Sequence, residues 1–198
     1  MNIVTPEIVQ GGAARRIRGP GDPDRRQRIA DAAIAVAMRE GLDAVTHRRV
    51  AAEAGVPLGS TTYYFRTIDD LLSVAMEKAA QRSLGEVQRW EAGLPAGADL
   101  AVALADYVLD SLGDGRASTV LDYNLYAMAN LRPPLRQAAW DWDRGLMEIF
   151  SRRTDEITGK MLSVTMCGLL LQLVISEGLP QHEEIRLLFE RALAGGRS

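Results

Sequence analysis

The chain has 198 residues, of which 47% are hydrophobic and 25% are charged, and it contains a single cysteine. This length suits one large domain or a small domain joined to a larger one, and the composition excludes low-complexity disorder over most of the chain. The single cysteine excludes an intramolecular disulfide and favours a reducing compartment, so we expect a cytoplasmic protein. Residues 1–16 have no basic segment followed by an apolar one, which predicts that no signal peptide is present.

Charge is divided unevenly along the chain, whose formal net charge is −3. Residues 1–66 carry ten arginines against seven acidic residues, whereas residues 67–198 carry thirteen basic residues against nineteen acidic ones. A basic N-terminal part on an acidic body predicts a module that faces a polyanion. Residues 1–21 are rich in glycine and have little periodicity, so we expect a flexible basic tail there. Its basic residues are Arg15, Arg16 and Arg18.

Helical spacing of apolar residues then predicts three short helices, at about residues 22–40, 46–54 and 58–64. Asp22 can cap the first helix, and Pro23 suits its first position because a proline there loses no hydrogen bond. Thr46 can cap the second helix with its hydroxyl. Gly41 and Gly55 can end the first and second helices, since glycine tolerates the left-handed conformation of a helix end.

The third helix divides its residues between two faces. At about 100° per residue, Leu58, Thr61 and Phe65 fall on one face, which we expect to pack into the core. The opposite face carries Gly59, Ser60 and Tyr63, with Thr62 and Tyr64 on its flanks. Small side chains allow close approach to another backbone, and hydroxyls can donate hydrogen bonds to phosphate oxygens. Residues 22–66 are thus predicted to form a three-helix helix-turn-helix domain that binds DNA.

The remaining residues, 67–198, show helical spacing throughout and hardly any strand pattern. Thr67 and Asp70 fit a capping box, with a hydroxyl followed three residues later by an acid. Further helices are predicted at about residues 67–90, 99–112, 118–130, 134–153, 156–177 and 182–194. The most apolar run, residues 161–175, is shorter than the roughly 20 residues of a membrane span, so a buried helix is the better interpretation. The chain is therefore predicted to be all-α, with about nine helices.

Three consecutive segments carry a more specific pattern. They read THRRVAAEAGV at residues 46–56, GSTTYYF at residues 59–65 and TIDDLL at residues 67–72. The first segment is a helix that begins at a threonine and ends in an A-x-x-A-G-V turn. The second is a helix with the pattern G-[ST]-x-x-Y-x-F, and the third is the start of a helix in which acidic residues are followed by leucines. In this pattern, which covers about residues 25–76, the chain resembles the TetR family of bacterial transcriptional regulators.

The resemblance implies which residues contact DNA. It places Thr46 at a phosphate, Arg48 at a base edge and Tyr63 at the DNA backbone. The full implied set is Thr46, His47, Arg48, Gly59, Ser60, Thr62, Tyr63 and Tyr64. An alternative, in which the two tyrosines are buried core residues, is less favoured because Phe65 already occupies the inward position.

The sequence departs from the family pattern at three positions. Thr61 stands where the family usually has an apolar residue, Thr62 where a tyrosine is frequent, and Ile68 where a lysine often sits. The last two departures remove two expected phosphate contacts. The arginines of the N-terminal tail could compensate by reaching into a minor groove, as basic arms do.

The resemblance also implies that residues 67–198 bind a small effector and form a dimer through the last two helices. Candidates for the effector pocket are Trp90, Tyr107, Tyr123, Asn124, Tyr126, Met128, Trp140, Trp142 and Met147. Candidates for the dimer interface are Met161, Val164, Leu169, Leu173, Ile185, Leu188 and Phe189. Each of the pocket candidates could instead be an ordinary core residue. Because tryptophans alternate with aspartates at residues 140–143, we expect at least one tryptophan near the surface.

The predicted function is that of a ligand-responsive transcriptional repressor, a homodimer that binds a near-palindromic DNA operator and is released by a small molecule. The alternative is a helical ligand-binding or interaction protein that has kept the fold without specific DNA binding. No enzyme, metal site or cofactor is predicted, because no catalytic or phosphate-loop motif occurs and His47 and His182 lie far apart in the sequence. Cys167 is expected to be a buried, inert thiol. The effector, the operator and the choice between repressor and activator stay open.

Overall fold

The computed structural model describes residues 23–178 and 180–195, and its regular structure is helical. Outside the described residues lie the predicted tail, with Arg15, Arg16 and Arg18, and the predicted cap Asp22. The described part contains nine α-helices: α1 (Pro23–Glu40), α2 (His47–Ala54), α3 (Leu58–Tyr64), α4 (Ile68–Gly93), α5 (Leu100–Leu112), α6 (Arg116–Met128), α7 (Arg136–Ser151), α8 (Glu156–Leu173) and α9 (His182–Ala194). The all-α prediction and the predicted number of helices are confirmed.

Local capping signals set the limits of the first two helices. α1 ends at Gly41, whose φ of 87° lies in the left-handed region. The Thr46 hydroxyl accepts a hydrogen bond from the Arg49 amide at 3.2 Å, as expected at the N-terminus of α2. Gly55 ends α2 with a φ of 62° and turns the chain towards α3. The predicted ends of these helices are therefore correct.

Buried residues hold α3 against the N-terminal helices. Phe65 is 1% exposed and Thr61 is fully buried. The Thr61 hydroxyl donates to the Leu58 carbonyl at 2.7 Å, which satisfies a polar group at a buried position. Leu58, predicted to point inward, is 46% exposed, so that prediction is wrong. The core covers only the second turn of this short helix and leaves the first turn, with Leu58, at the surface.

α4 joins the N-terminal helices to the rest of the chain. It begins with the predicted capping box, in which the Thr67 amide donates to the Asp70 carboxylate at 2.9 Å and the Asp70 amide donates to the Thr67 hydroxyl at 3.0 Å. Over its 26 residues α4 packs against α1, α6 and α7. Lys78 of α4 also forms an ion pair with Asp31 of α1. One continuous helix thus belongs to both parts of the molecule.

The helices α5 to α9 form the body, in which α7 packs along α8 and α5 along α9. α5 is capped by Asp99, whose carboxylate accepts a hydrogen bond from the Ala101 amide at 3.0 Å. α8 ends at Leu173, earlier than predicted. Just beyond this end, the Val174 carbonyl accepts a hydrogen bond from the Arg116 guanidinium at 2.7 Å. No helix in the described part of the chain, α8 included, has the length and apolar content needed to cross a membrane.

The last two helices and the segment after α8 expose an apolar stripe. Its exposed members are Ile157, Met161, Val164, Leu171, Ile175, Leu187 and Leu188. Leu169 and Leu173, predicted at a dimer interface, are half-buried. Ile185 and Phe189, predicted there as well, are buried inside the chain because α9 packs its inner face against α5 and α8. Their side chains belong to the core of the body and not to an outer surface.

We expect Phe65→Ala to lower the free energy of unfolding by about 3–5 kcal/mol, because removal of a fully buried aromatic ring leaves a cavity. Leu58→Ala changes an exposed position of the same helix and should cost less than about 1 kcal/mol. Guanidinium denaturation followed by circular dichroism measures both free energies. Equal losses in the two variants would show that Leu58 is part of the core.

Candidate DNA interface and ligand cavity

α3 presents a strip of small and hydroxyl-bearing side chains to solvent. Gly59, Thr62 and Tyr63 are exposed, and Ser60 is half-buried beside them. A methyl group placed on Gly59 would meet no atom within 4 Å, so this position is open to an approaching partner. The Thr62 hydroxyl donates to the Gly59 carbonyl at 3.3 Å and keeps its own lone pairs available. The face of α3 predicted to point outward is therefore accessible.

The two tyrosines of α3 lie in different environments. Tyr63 is 69% exposed, whereas Tyr64 is half-buried and packs against the core. Their rings meet edge to face, with centroids 5.1 Å apart and planes at 89°. This arrangement is favourable for aromatic pairs. Tyr64 thereby supports the ring of Tyr63, which stays exposed.

The first residues of α2 add a basic side chain to the same region of the chain. Thr46 and Arg48 are exposed, while His47 is half-buried and its Nδ1 has no hydrogen-bond partner among the described residues. Arg48 forms no hydrogen bond or ion pair with any described residue, whereas the neighbouring Arg49 is paired with Glu40. Of these two adjacent arginines, Arg48 is thus the one available to a phosphate or a base.

A large cavity opens between α6, α7 and α8. Its volume is about 640 Å³, and small-molecule sites typically measure roughly 300–1,000 Å³. Aromatic and apolar side chains form most of its wall. We call it the aromatic cavity, and its lining residues are Tyr123, Tyr126, Trp140, Trp142, Asp143, Arg144, Met147, Lys160, Ser163, Val164, Cys167, Gly168 and Leu171.

Aromatic rings pack together in this wall. The Trp142 ring lies 5.7 Å, between centroids, from the rings of both Tyr123 and Tyr126. Trp142 is only 4% exposed, but Trp140 is 62% exposed, which confirms that one of these tryptophans lies near the surface. The cavity therefore combines buried aromatic surface with an exposed aromatic edge, a combination that suits a flat apolar ligand.

Asp143 places a carboxylate in the same wall, where it accepts a hydrogen bond from the Tyr126 hydroxyl at 2.8 Å. Burial raises the pKa of Asp143, and the bond from Tyr126 opposes this rise. Burial and the same bond raise the pKa of Tyr126 to about 12. Of the basic lining residues, Arg144 is paired with Asp141 and Lys160 is exposed. Asp143 itself has no basic partner among the described residues.

The cysteine of the chain also lines the aromatic cavity. Burial raises the pKa of the Cys167 thiol to about 11, although a hydrogen bond with Tyr123 lowers it. A thiol with this pKa is protonated at neutral pH and is a poor nucleophile. Cys167 therefore contributes to the wall as a small, soft side chain.

The structure brings together only part of the predicted pocket. The predicted residues that line the aromatic cavity are Tyr123, Tyr126, Trp140, Trp142 and Met147. Trp90 does not line it and packs instead against Tyr107, with ring centroids 5.1 Å apart. Asn124 is exposed and Met128 packs against the core, so neither contributes to the wall.

Sequence reasoning missed Asp143 and the α8 side of the cavity. The missed α8 residues are Lys160, Ser163, Cys167, Gly168 and Leu171, and Val164 was assigned to the dimer interface alone. These positions recur every three or four residues, which places them on one side of a helix. The recurrence could have identified this side of α8 as one continuous face. Spacing within α8 does not reveal, however, that α6 and α7 lie opposite that face.

A second and smaller cavity, which we call the inner cavity, has a volume of about 130 Å³. Tyr107, predicted for the effector pocket, lines this cavity, and burial raises its pKa to about 12. The other lining residues come from α4 to α8 and from Gly115. Tyr123 and Trp142 line both cavities, which therefore meet at this aromatic pair.

Two ranges of the chain match known protein families. Residues 29–75 match the family described as "Bacterial regulatory proteins, tetR family", and residues 95–195 match "Tetracyclin repressor-like, C-terminal domain". The first range contains most of α1, all of α2 and α3, and the start of α4, and the second contains α5 to α9. Together the two ranges cover most of the chain.

The chain is similar to multidrug binding protein EbrR in both sequence and structure. For the EbrR complex with imidazole, the sequence identity is 39% and the TM-score is 0.79, and the match covers 87% of this chain and 96% of that chain. For the complex with ethidium, the identity is 39% and the TM-score 0.76, with 85% and 98% of the two chains covered. For the complex with proflavin, the identity is 40% and the TM-score 0.74, with 85% and 99% covered. The similarity thus extends over nearly the whole of EbrR.

A more local similarity links the chain to HTH-type transcriptional regulator PksA of Bacillus subtilis (strain 168). The two proteins are 38% identical over 58 residues, which is 29% of this chain and 28% of PksA. The chain therefore matches little more than a quarter of the length of this relative.

We expect Tyr126→Phe to raise the pKa of Asp143 further, because the variant lacks the hydroxyl that stabilises the carboxylate. Titration of the Asp143 carboxyl carbon by NMR measures this pKa. Tyr123→Phe is the matched control, since it alters a neighbouring ring and keeps the Tyr126–Asp143 hydrogen bond. An unchanged Asp143 pKa in Tyr126→Phe would contradict the role assigned to this bond.

Proposed function

Because the chain belongs to the TetR family of bacterial transcriptional regulators, we propose that it represses transcription as a homodimer bound to a near-palindromic operator and leaves the DNA when a small molecule binds. The accessible strip of α3, together with Arg48, which pairs with no described residue, is the observation that carries this proposal. Two such units in one dimer would enter successive major grooves, about 34–36 Å apart. We assign DNA binding to residues 22–66, and effector binding and dimerisation to residues 67–198.

In this proposal α3 lies in a major groove. Gly59 and Ser60 allow the helix to approach the DNA closely, because neither side chain is bulky. The Tyr63 hydroxyl donates a hydrogen bond to a phosphate oxygen, and the Thr62 hydroxyl does so by exchanging its bond to the Gly59 carbonyl for one to a phosphate. These bonds position the helix without selecting a sequence. Arg48 reaches a base edge, where its guanidinium suits the O6 and N7 acceptors of guanine.

The exposed apolar stripe supports dimerisation. Along α8 and just beyond it, exposed apolar residues lie three, four or seven positions apart, as on one face of a helix that packs against a partner helix. Leu187 and Leu188 extend this surface onto α9. Val164 and Leu171 belong both to the stripe and to the lining of the aromatic cavity. A partner subunit on this surface would therefore also cover the α8 edge of the cavity.

The effector class that best fits the aromatic cavity is a flat aromatic cation. Tyr126, Trp140 and Trp142 supply ring surfaces that attract such a ligand by stacking and by cation–π interaction. Asp143 supplies a negative charge without a basic partner among the described residues. Ethidium and proflavin, seen with EbrR, are flat aromatic cations, which supports the same class for this chain.

Release from DNA requires a contact between the cavity and the DNA-binding helices. α6 carries Tyr123 and Tyr126 of the cavity wall and also packs against α1. Arg132, which follows α6, forms an ion pair with Asp69 in the first turn of α4. An effector that prefers a shifted α6 would thus alter the spacing of the two α3 helices and reduce the population able to bind the operator.

Arg48→Ala should relax the base preference at one operator position and weaken binding to the best site by about 1–3 kcal/mol. Tyr63→Phe should weaken binding to all sequences alike, because a phosphate contact does not depend on sequence. Selection from randomised DNA, followed by fluorescence anisotropy at fixed salt, measures both effects. Arg89→Ala, an exposed change far along α4, serves as the control. If Arg48→Ala left the preferred sequence unchanged, the base contact would be excluded.

Trp140→Ala and Asp143→Asn should each weaken proflavin binding by roughly tenfold, the effect of losing an aromatic or charge contact worth about 1.4 kcal/mol. Quenching of proflavin fluorescence measures the affinity, and operator binding in the presence of the dye measures release. Trp90→Phe is the matched control because Trp90 lies outside the cavity lining. Unchanged affinity in both cavity variants would place the dye elsewhere.

Ile175→Glu combined with Leu188→Glu should convert the dimer into monomers, because both side chains are exposed members of the apolar stripe and a buried charge disfavours association. Sedimentation velocity measures the mass in solution. Leu131→Glu changes an equally apolar, 87% exposed position outside α8 and α9, and should leave the mass unchanged. A double variant that stays dimeric would exclude this surface as the interface.

A further inference from the structure

The inner cavity has a polar wall, unlike the aromatic cavity. Its lining includes the hydroxyls of Ser83 on α4 and Ser118 on α6, and the carboxylates of Glu86 on α4 and Asp122 on α6. Neither serine hydroxyl forms a hydrogen bond with any described residue. The cavity therefore offers two hydroxyls that no other described residue engages.

One buried donor at this cavity has no partner among the described residues. It is Trp142 Nε1, a buried side-chain atom without a hydrogen bond. Trp142 lines the inner cavity and is more than nine-tenths buried. Arg82 of α4, beside the cavity, is paired with Asp122, and its Nε lies 3.8 Å from the Glu86 carboxylate. Because buried polar groups in proteins are almost always hydrogen-bonded, the Trp142 indole N–H suits a ligand that supplies an acceptor.

The charges of the wall exclude an anion. Asp122 and Glu86 supply two carboxylates, and Arg82 supplies one guanidinium that contacts both. Burial raises the pKa of Asp122 to about 6, although its contact with Arg82 lowers it. Asp122 is therefore mostly ionised at neutral pH, and the site has an excess of negative charge. A cation in the cavity would balance this charge.

We propose that the inner cavity is a second binding subsite, which takes a small protonated amine that also carries a hydroxyl or carbonyl oxygen. The ammonium group lies between the Asp122 and Glu86 carboxylates, and the oxygen accepts the hydrogen bond of Trp142 Nε1. The volume of about 130 Å³ fits a group of this size, since one water occupies roughly 30 Å³ in the liquid.

A ligand in this subsite would contact α4 directly. Ser83 and Glu86 belong to α4, the helix that begins directly after the candidate DNA-binding helix, whereas the aromatic cavity is lined by residues of α6, α7 and α8. The amine would therefore add a contact with α4 to the contacts that an effector makes with α6, α7 and α8. This consequence rests on the proposed function, but the binding of the amine does not.

The indole N–H signals of the protein test the proposal directly. The chain has three tryptophans, so a proton–nitrogen NMR spectrum of the full chain shows one indole signal for each, and Trp142→Phe identifies that of Trp142. Titration with ethanolamine should shift the Trp142 signal to saturation and leave the Trp140 signal in place. Ethylamine, which lacks the oxygen, should bind several-fold more weakly, and acetate should not shift the Trp142 signal.

Two variants and a second titration complete the test. Asp122→Asn should weaken ethanolamine binding by roughly tenfold, as expected for a charged hydrogen bond, and Ser83→Ala, a milder change, should weaken it several-fold. An unshifted Trp142 signal, or an equal shift with acetate, would overturn the subsite and leave a cavity that holds only water.

Proflavin in the same sample separates the two proposals. If proflavin shifts the Trp140 signal but ethanolamine does not shift the Trp142 signal, only the subsite is overturned. If ethanolamine shifts the Trp142 signal but proflavin does not shift the Trp140 signal, only the aromatic effector is overturned.

Discussion

The position of α3 relative to the body depends on the fixed start of α4. Phe65 is buried at the end of α3, and the Thr67–Asp70 capping box follows at once and begins a helix of 26 residues. At about 1.5 Å per residue this helix is roughly 39 Å long. Asp69 in its first turn is also paired with Arg132, which follows α6. In the proposed regulator, a displacement of the body would reach the candidate DNA-binding helix through these contacts.

The two cavities of the body differ in chemistry but share one wall. Tyr123 and Trp142 separate a large aromatic space from a small polar one. In the large space aromatic rings and the Asp143 carboxylate favour a flat cation. In the small space, the Trp142 indole N–H, which has no partner among the described residues, and an excess of carboxylates favour a compact polar cation. A ligand that occupied both would meet α6, α7 and α8 with its rings and α4 with its polar end.

α8 links the cavity to the outer surface of the body. One side of this helix packs inward, where Leu162 and Met166 are buried. Val164 and Leu171 are exposed in the apolar stripe and also line the aromatic cavity. Association through the stripe and occupation of the cavity would therefore affect the same residues. This arrangement gives a direct physical reason for ligand binding and subunit spacing to be coupled in the proposed regulator.

Local signals in the sequence determined the helices and the accessible side of α3. Caps such as Thr46 and the turn at Gly55 act within about four residues, so spacing alone located them. Packing decided the rest. Trp142 entered the cavity because α7 lies along α8, whereas Trp90 packs against α5. Phe189 is buried although its neighbour in the sequence is exposed. Which helix covers which face depends on contacts between residues far apart in the chain, and helical spacing does not specify them.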